Sequence, residues 1–229
     1  MTYLHHVLHH LRKDLLLEWR GRDAINAMLF FSLLVVAIFS RAFDPTGNPS
    51  TTREIAGGVL WVGILFASVT ALNQAWTREM RNHVLDAHRM APSPASALFL
   101  GKALANLAFV LGVEAILAPI FIIFYNLHPL GNSLLFLLVM PLGTWALVVN
   151  GTFFAALGLR ARSRELLLPL LLFPISIPAL LAMVQATTGI LTNNLDPIQI
   201  NLWIKQLAVY DLIYTTLSIL LFDIILHAE

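Results

Sequence analysis

Six apolar runs constrain this chain more than any other feature. Each is long enough to cross a hydrocarbon core of about 30 Å, which takes roughly 20 residues of helix. They run from Ala24 to Phe43, Ile55 to Trp76, Ala97 to Tyr125, Ser133 to Leu159, Glu165 to Thr187 and Gln206 to His227. Hydrocarbon offers backbone polar groups no partner, so each run must close its own hydrogen bonds as a helix. The third and fourth exceed the needed length and are expected to tilt or to project beyond the membrane. Charged residues are 12% of the 229 and hydrophobic ones 58%, against roughly 25% charge in a soluble domain. The bilayer is therefore the solvent. The expected fold class is an all-α membrane protein, with one transmembrane domain over residues 1–229 and the six-span bundle over 24–227.

The joints agree with these cuts. Asp44 to Pro49, Ala91 to Pro94, Asn126 to Asn132 and Thr188 to Pro197 are rich in turn-forming and helix-stopping residues. Placing the N-terminus inside puts eleven of the fourteen Lys and Arg on inner segments and leaves Arg41, Arg53 and Lys205 outside. Positive charge favours the cytoplasmic side, so both termini are expected there. Met1 to Arg22 lacks the charged start, short apolar run and cleavage site of a secretory signal, so the first run is expected to remain as an anchor. Within residues 1–22, Leu4, Val7, Leu8, Leu11, Leu15 and Trp19 recur at helical spacing among His, Arg, Lys, Asp and Glu. That pattern predicts an amphipathic interfacial helix, polar face in water and apolar face among the headgroups. The plainer reading is a charged lead-in that orients the first span.

Several chemistries are missing from the sequence. Gly101-Lys102 has Ser96 where a phosphate loop needs its first glycine, so ATP hydrolysis would fall to another chain. Neither an HExxH nor a GxSxG pattern is present, and no cysteine offers a thiolate. No histidine lies mid-span, which disfavours bound cytochrome-type heme. The net charge of +1 and the lack of a basic tract give no support to nucleic-acid binding. His5 with His9, and His6 with His10, stand at metal-binding spacing, but without a carboxylate or thiolate in the pattern a solvated face is the expectation. No cofactor is expected to be held firmly.

Three stretches together resemble the CcmB family, the heme exporter protein B permeases of cytochrome c maturation. They are Ala56-Gly57-Gly58-Val59-Leu60-Trp61-Val62-Gly63-Ile64-Leu65-Phe66-Ala67-Ser68, then Trp76-Thr77-Arg78-Glu79 through Leu85-Asp86 to Pro92-Ser93-Pro94 and Gly101-Lys102, and Leu172-Phe173-Pro174-Ile175-Ser176-Ile177-Pro178. Their order and spacing carry the match. His83 departs from the family's usual glycine, and the tryptophan-rich signature of sister heme-handling proteins is missing. The resemblance implies an ABC-2 exporter-type permease in a bacterial inner membrane, acting in heme delivery or export for c-type cytochromes, with heme as a candidate substrate. Implied partners are a cytoplasmic ATPase subunit, a second copy of the chain and other heme-handling membrane proteins. The runners-up are a permease for a lipid-linked glycan or drug, and a scaffold that transports nothing.

Two groups of residues then become candidates. Thr77 to Met90 mixes charged residues with Met80, Val84 and Leu85, in a pattern suited to a short amphipathic helix. With the resemblance, this points to an ATPase-coupling element, and Glu79, Arg81, Leu85 and Asp86 are its expected residues; the alternative is an ordinary charged loop. Glu114, near the middle of the third span, is costly at that depth and should face the interior, be neutral, or both. It serves either as a substrate contact or gate, or as a protonated acid bonded to a neighbouring helix. Pro169, Pro174 and Pro178 each remove a backbone donor from the fifth span. Pro174 and Pro178 are taken as gate candidates beside Glu114, against a plain packing role. Trp203, Tyr210 and Tyr214 read as an outer aromatic belt. Asp211 and Asp223 read as lying near opposite ends of the sixth span, within reach of water.

Overall fold

The computed structural model describes the chain except residues 1–2, 82–86, 89, 91–92, 126, 128–132, 159–163, 193–195 and 228–229; at 23, 77, 78, 80, 81, 133, 164 and 165 it describes the backbone alone. The long helices are α1 (Tyr3–Gly21), α2 (Asp23–Phe43), α3 (Pro49–Arg81), α4 (Ala95–Phe124), α5 (Ser133–Leu157), α6 (Arg164–Thr192) and α7 (Pro197–His227). Among the described residues six helices, α2 to α7, are long and apolar enough to cross a membrane. This is the all-α six-span architecture that the apolar runs predict.

Local chemistry places the boundaries. Arg22 turns the chain between α1 and α2 at φ 57°, and the Glu18 carboxylate accepts from the Ala24 backbone N–H at 3.3 Å. Asp44 adopts φ 42° and its carbonyl accepts from Asn48 N–H at 3.0 Å. Pro49 then opens α3, where its missing N–H costs nothing. α7 starts at Pro197, well before the predicted Gln206. Its start is capped by Asp196, whose carboxylate accepts from Ile198 N–H at 3.0 Å. α6 stays helical through Pro169, Pro174 and Pro178. Pro174 and Pro178 lie on its exposed face and Ser176 on its buried one.

α3 is the axis of the bundle. Its apolar window is 72% buried, against 28% for α2, α4 and α7. It packs on α2, α4, α5 and α6. At Gly57 it comes close to α6: a Cβ there would lie 3.0 Å from both the Val184 carbonyl oxygen and the Thr188 backbone nitrogen. Small residues allow such contacts, which helices in lipid rely on for association. Polar pairs add to them. Trp61 Nε1 donates to Thr187 Oγ1 at 2.9 Å, Trp145 Nε1 to Thr215 Oγ1 at 3.0 Å, and Asn106 Nδ2 to Thr152 Oγ1 at 3.0 Å.

Two readings of the sixth span are corrected by this packing. Tyr210 does not sit in an aromatic belt. It is buried, its hydroxyl accepting from Asn150 Nδ2 at 2.8 Å and donating to the Ile175 carbonyl at 2.9 Å. Asp211 is not near a wet end. With α7 beginning at Pro197, it falls in mid-helix and is 7% exposed.

Candidate functional site

The site is built where α1 lies against the start of α4 and the end of α3. Residue 101 must be glycine for α1 to come so close. A Cβ there would stand 2.9 Å from the Val7 carbonyl oxygen and 3.2 Å from the Leu11 nitrogen, both backbone atoms of α1. Val7 is buried in this contact.

Beside it four charges from three helices close a neutral cluster. Lys13 Nζ meets Glu79 Oε1 at 2.6 Å and Asp14 Oδ1 at 3.3 Å. Lys102 Nζ meets Asp14 Oδ2 and Glu79 Oε1, each at 3.0 Å. Lys102 also donates to the Ala75 carbonyl at 3.3 Å and lies 4.7 Å from the centre of the Trp76 ring. The side chains of Lys102 and Glu79 are 3% and 6% exposed. Charges at that burial are tolerable only when fully paired, and each lysine here spans both carboxylates. Burial pushes the Glu79 carboxyl up, but Lys102 and Lys13 outweigh it and hold the group below its ordinary value. Burial likewise opposes the charge on Lys13, and Glu79 and Asp14 outweigh it and raise that group. The His10 ring meets the His88 ring at 5.2 Å. Burial first, then His88 and Lys13, bring His10 down to about 4.

The amphipathic helix thus forms, but its polar face is not wholly in water. Lys13 and Asp14 point into the bundle, while Leu4, Leu8 and Trp19 are exposed on the outer side. An outward apolar stripe suits the headgroup zone. His5 and His9 approach at 3.0 Å between their Nε2 atoms on the exposed surface. Among the described residues no group of three His, Cys, Asp or Glu could hold a metal ion.

The expected site residues fall in different settings. Glu79 is inside, turned toward α1 and α4. Arg81 ends α3 with its side chain undescribed, and Leu85 and Asp86 lie outside the described residues. Glu114, on α4, is buried and accepts from the Thr144 hydroxyl of α5 through Oε1, while Oε2 has no hydrogen-bond partner among the described residues. Twelve residues separate it from Lys102, about 18 Å along the helix. Pro174 and Pro178 face outward on α6, so these candidates do not converge on one cavity wall. Lys13 and Asp14 were not among the expected site residues. Lys102 entered only as part of a sequence pattern, although a lysine inside an apolar run was the available signal.

The cluster carries a pH signature. His10 is held below its free value of 6.5, so it takes up its proton more readily when α1 is undocked. Its contribution to docking is complete above 6.5 and drains away as pH falls toward 4. Glu79, also held low, contributes fully above the ordinary carboxylate value of 4.5 and loses that contribution as pH falls through its lowered one. Hydrogen exchange of the α1 amides, corrected for intrinsic rates, should accelerate below pH 6.5. Replacing His10 by Gln should remove the upper part of that dependence. Unchanged protection of α1 between pH 7 and 5 would refute this account.

Six membrane-length helices with α3 as the central one, and an amphipathic helix latched by buried ion pairs, define a multi-pass helical membrane protein. The profile of the CcmB protein family matches residues 5–224. The chain belongs to the CcmB family. It is 35% identical to Heme exporter protein B of Rhodobacter capsulatus over 172 residues, covering 75% of this chain and 77% of that one. Its identity to Heme exporter protein B of Paracoccus denitrificans is 33%, covering 74% and 76%. To that of Pseudomonas aeruginosa it is 29%, covering 74% of each.

Proposed function

We propose that this chain is the membrane-spanning permease subunit of an ABC-type transporter that acts in heme delivery or export for c-type cytochrome biogenesis. The observation that carries the reading is the family match over residues 5–224, with relatives named Heme exporter protein B matching three quarters of the chain. Heme enters as cargo and not as a resident cofactor. ATP hydrolysis falls to a separate cytoplasmic subunit, and a second copy of the chain and other heme-handling membrane proteins complete the complex. The membrane is the bacterial inner one, with both termini cytoplasmic, as the distribution of Lys and Arg supports.

In this reading the segment after α3 takes the push of the ATPase. Arg81, Leu85 and Asp86 are its coupling residues. Glu79 works from inside: with Lys102 it flanks the segment's two ends, and through Lys13 and Asp14 it ties them to α1. A push on the segment then moves α1 and the ends of α3 and α4 as one body. Glu114 with Thr144 is the gate within the bundle, and Pro174 and Pro178, on the outer face of α6, let that helix flex as the gate moves.

Deleting the gene in its host should abolish covalent heme staining of membrane proteins, and a plasmid copy should restore it. Persistent staining would remove the cytochrome assignment and leave a six-span permease with another cargo.

A further inference from the structure

Asp211 stands in an apolar stripe. The buried residues of α7 are Ile200, Leu207, Tyr210, Asp211, Ser218, Phe222 and Leu226. Asp211 is more than nine-tenths buried, both carboxyl oxygens are shielded from solvent, and neither has a hydrogen-bond partner among the described residues.

The helices around it bring no cation to spare. α7 packs on α4, α5 and α6. α5 carries no titratable residue, and α6 carries only Arg164 and Glu165, in its first turn. On α4, Lys102 is held by Asp14 and Glu79, and Glu114 is bonded to Thr144. α3 meets α7 where Trp76 touches Phe222, and its charges lie at its ends: Arg53 and Glu54, then Arg78, Glu79 and Arg81. On α7 itself Asp223 pairs with His227, and Lys205 and Tyr214 are the remaining titratable groups besides Tyr210. The Tyr210 hydroxyl, next in sequence, is committed to Asn150 and Ile175.

An ionised carboxylate shielded from solvent, with neither cation nor donor, is among the costliest arrangements a bundle can hold. A leucine would fill the stripe without that cost, and an acid at such depth is a functional-site hypothesis by default. We propose that Asp211 is a proton-binding site of the bundle. Its carboxyl carries a proton while α7 is packed in this way and gives it to entering water when α7 parts from α4, α5 and α6. The release step rests on the permease reading; the bound proton does not.

Infrared difference spectra of the full chain in lipid test the bound proton. Wild type minus Asp211→Asn should show a protonated-carboxyl carbonyl band, separate from the band removed by Glu114→Gln. Asp211→Glu, which should shift that band, serves if the Asn form does not fold. Loss of carboxylate bands alone would overturn the proposal. For the release step, Asp211→Asn in the deletion strain should reach wild-type membrane levels yet lose covalent heme staining, with Asp211→Glu restoring it. Full staining with the Asn form would overturn release. A deletion strain that keeps its staining would instead sink the cargo reading, with the infrared result unaffected.

Discussion

Replacing Lys102 by Met should cost about 3 kcal/mol and free α1 from the bundle. Removing one partner of a buried ion pair typically costs about 3–5 kcal/mol, because the charge left behind keeps its desolvation penalty and loses its compensation. Lys102 compensates two carboxylates, one of them on Glu79 with a side chain 6% exposed. Lys13 still neutralises part of the remaining charge, which sets the estimate at the low end of that range. Methionine keeps the length of the side chain and its contact with Trp76, so packing changes little. The loss should appear in thermal unfolding as a fall on the order of 10 °C, and in early proteolysis within residues 1–22. Lys13→Met should cost less, because that side chain is 33% exposed and water takes over part of its role. Equal losses for the two lysines would contradict the idea that burial sets the strength of the latch.

Gly57→Val should be comparably damaging for a different reason. The new Cβ would meet the Val184 carbonyl oxygen and the Thr188 nitrogen at 3.0 Å, and Thr188 Oγ1 more closely still. Two of these three atoms are backbone, so no rotamer change relieves the contact. Overpacking a core costs about 1–3 kcal/mol. Here the separation of α3 from α6 also breaks the bond from Trp61 to Thr187. Trp61 is fully buried, so its stranded N–H adds about 1–3 kcal/mol. A total of about 4 kcal/mol is expected. Thermal unfolding and tryptophan fluorescence would report it. Gly58→Ala is the control: its Cβ would meet Val184 Cγ1 at 3.9 Å, an ordinary contact. A Gly57→Val protein as stable as the Gly58→Ala one would show that α3 and α6 can slide apart freely.

The candidate site is only partly legible in the sequence. Glu79 stood out because a charged stretch between two apolar runs invites attention. The amphipathic pattern puts its neighbours Lys13 and Asp14 on a wet face, since such a pattern says which side chains are polar and not what each polar one meets. Asp211 was misplaced for a related reason. The apolar run begins at Gln206, where apolar residues become dense, whereas the helix is set by Asp196 and Pro197 and continues through Asn201 and Lys205. Shifting the start by nine residues moved an acid from the rim to the middle of the helix.

Composition and run length by themselves determined the solvent, the number of spans and their helical state. Those follow from transfer energies and from the need of every backbone group for a partner, and both are local sums along the chain. Which charges are buried together is a different kind of question. Lys13, Glu79 and Lys102 are distant in the sequence and meet because Gly101 lets two backbones touch, and Asp211 is stranded because the neighbouring hydroxyl is already taken. Only the packing of the helices decided these points, since the cost of a buried charge depends on what lies within a few ångströms in space and not on its place along the chain.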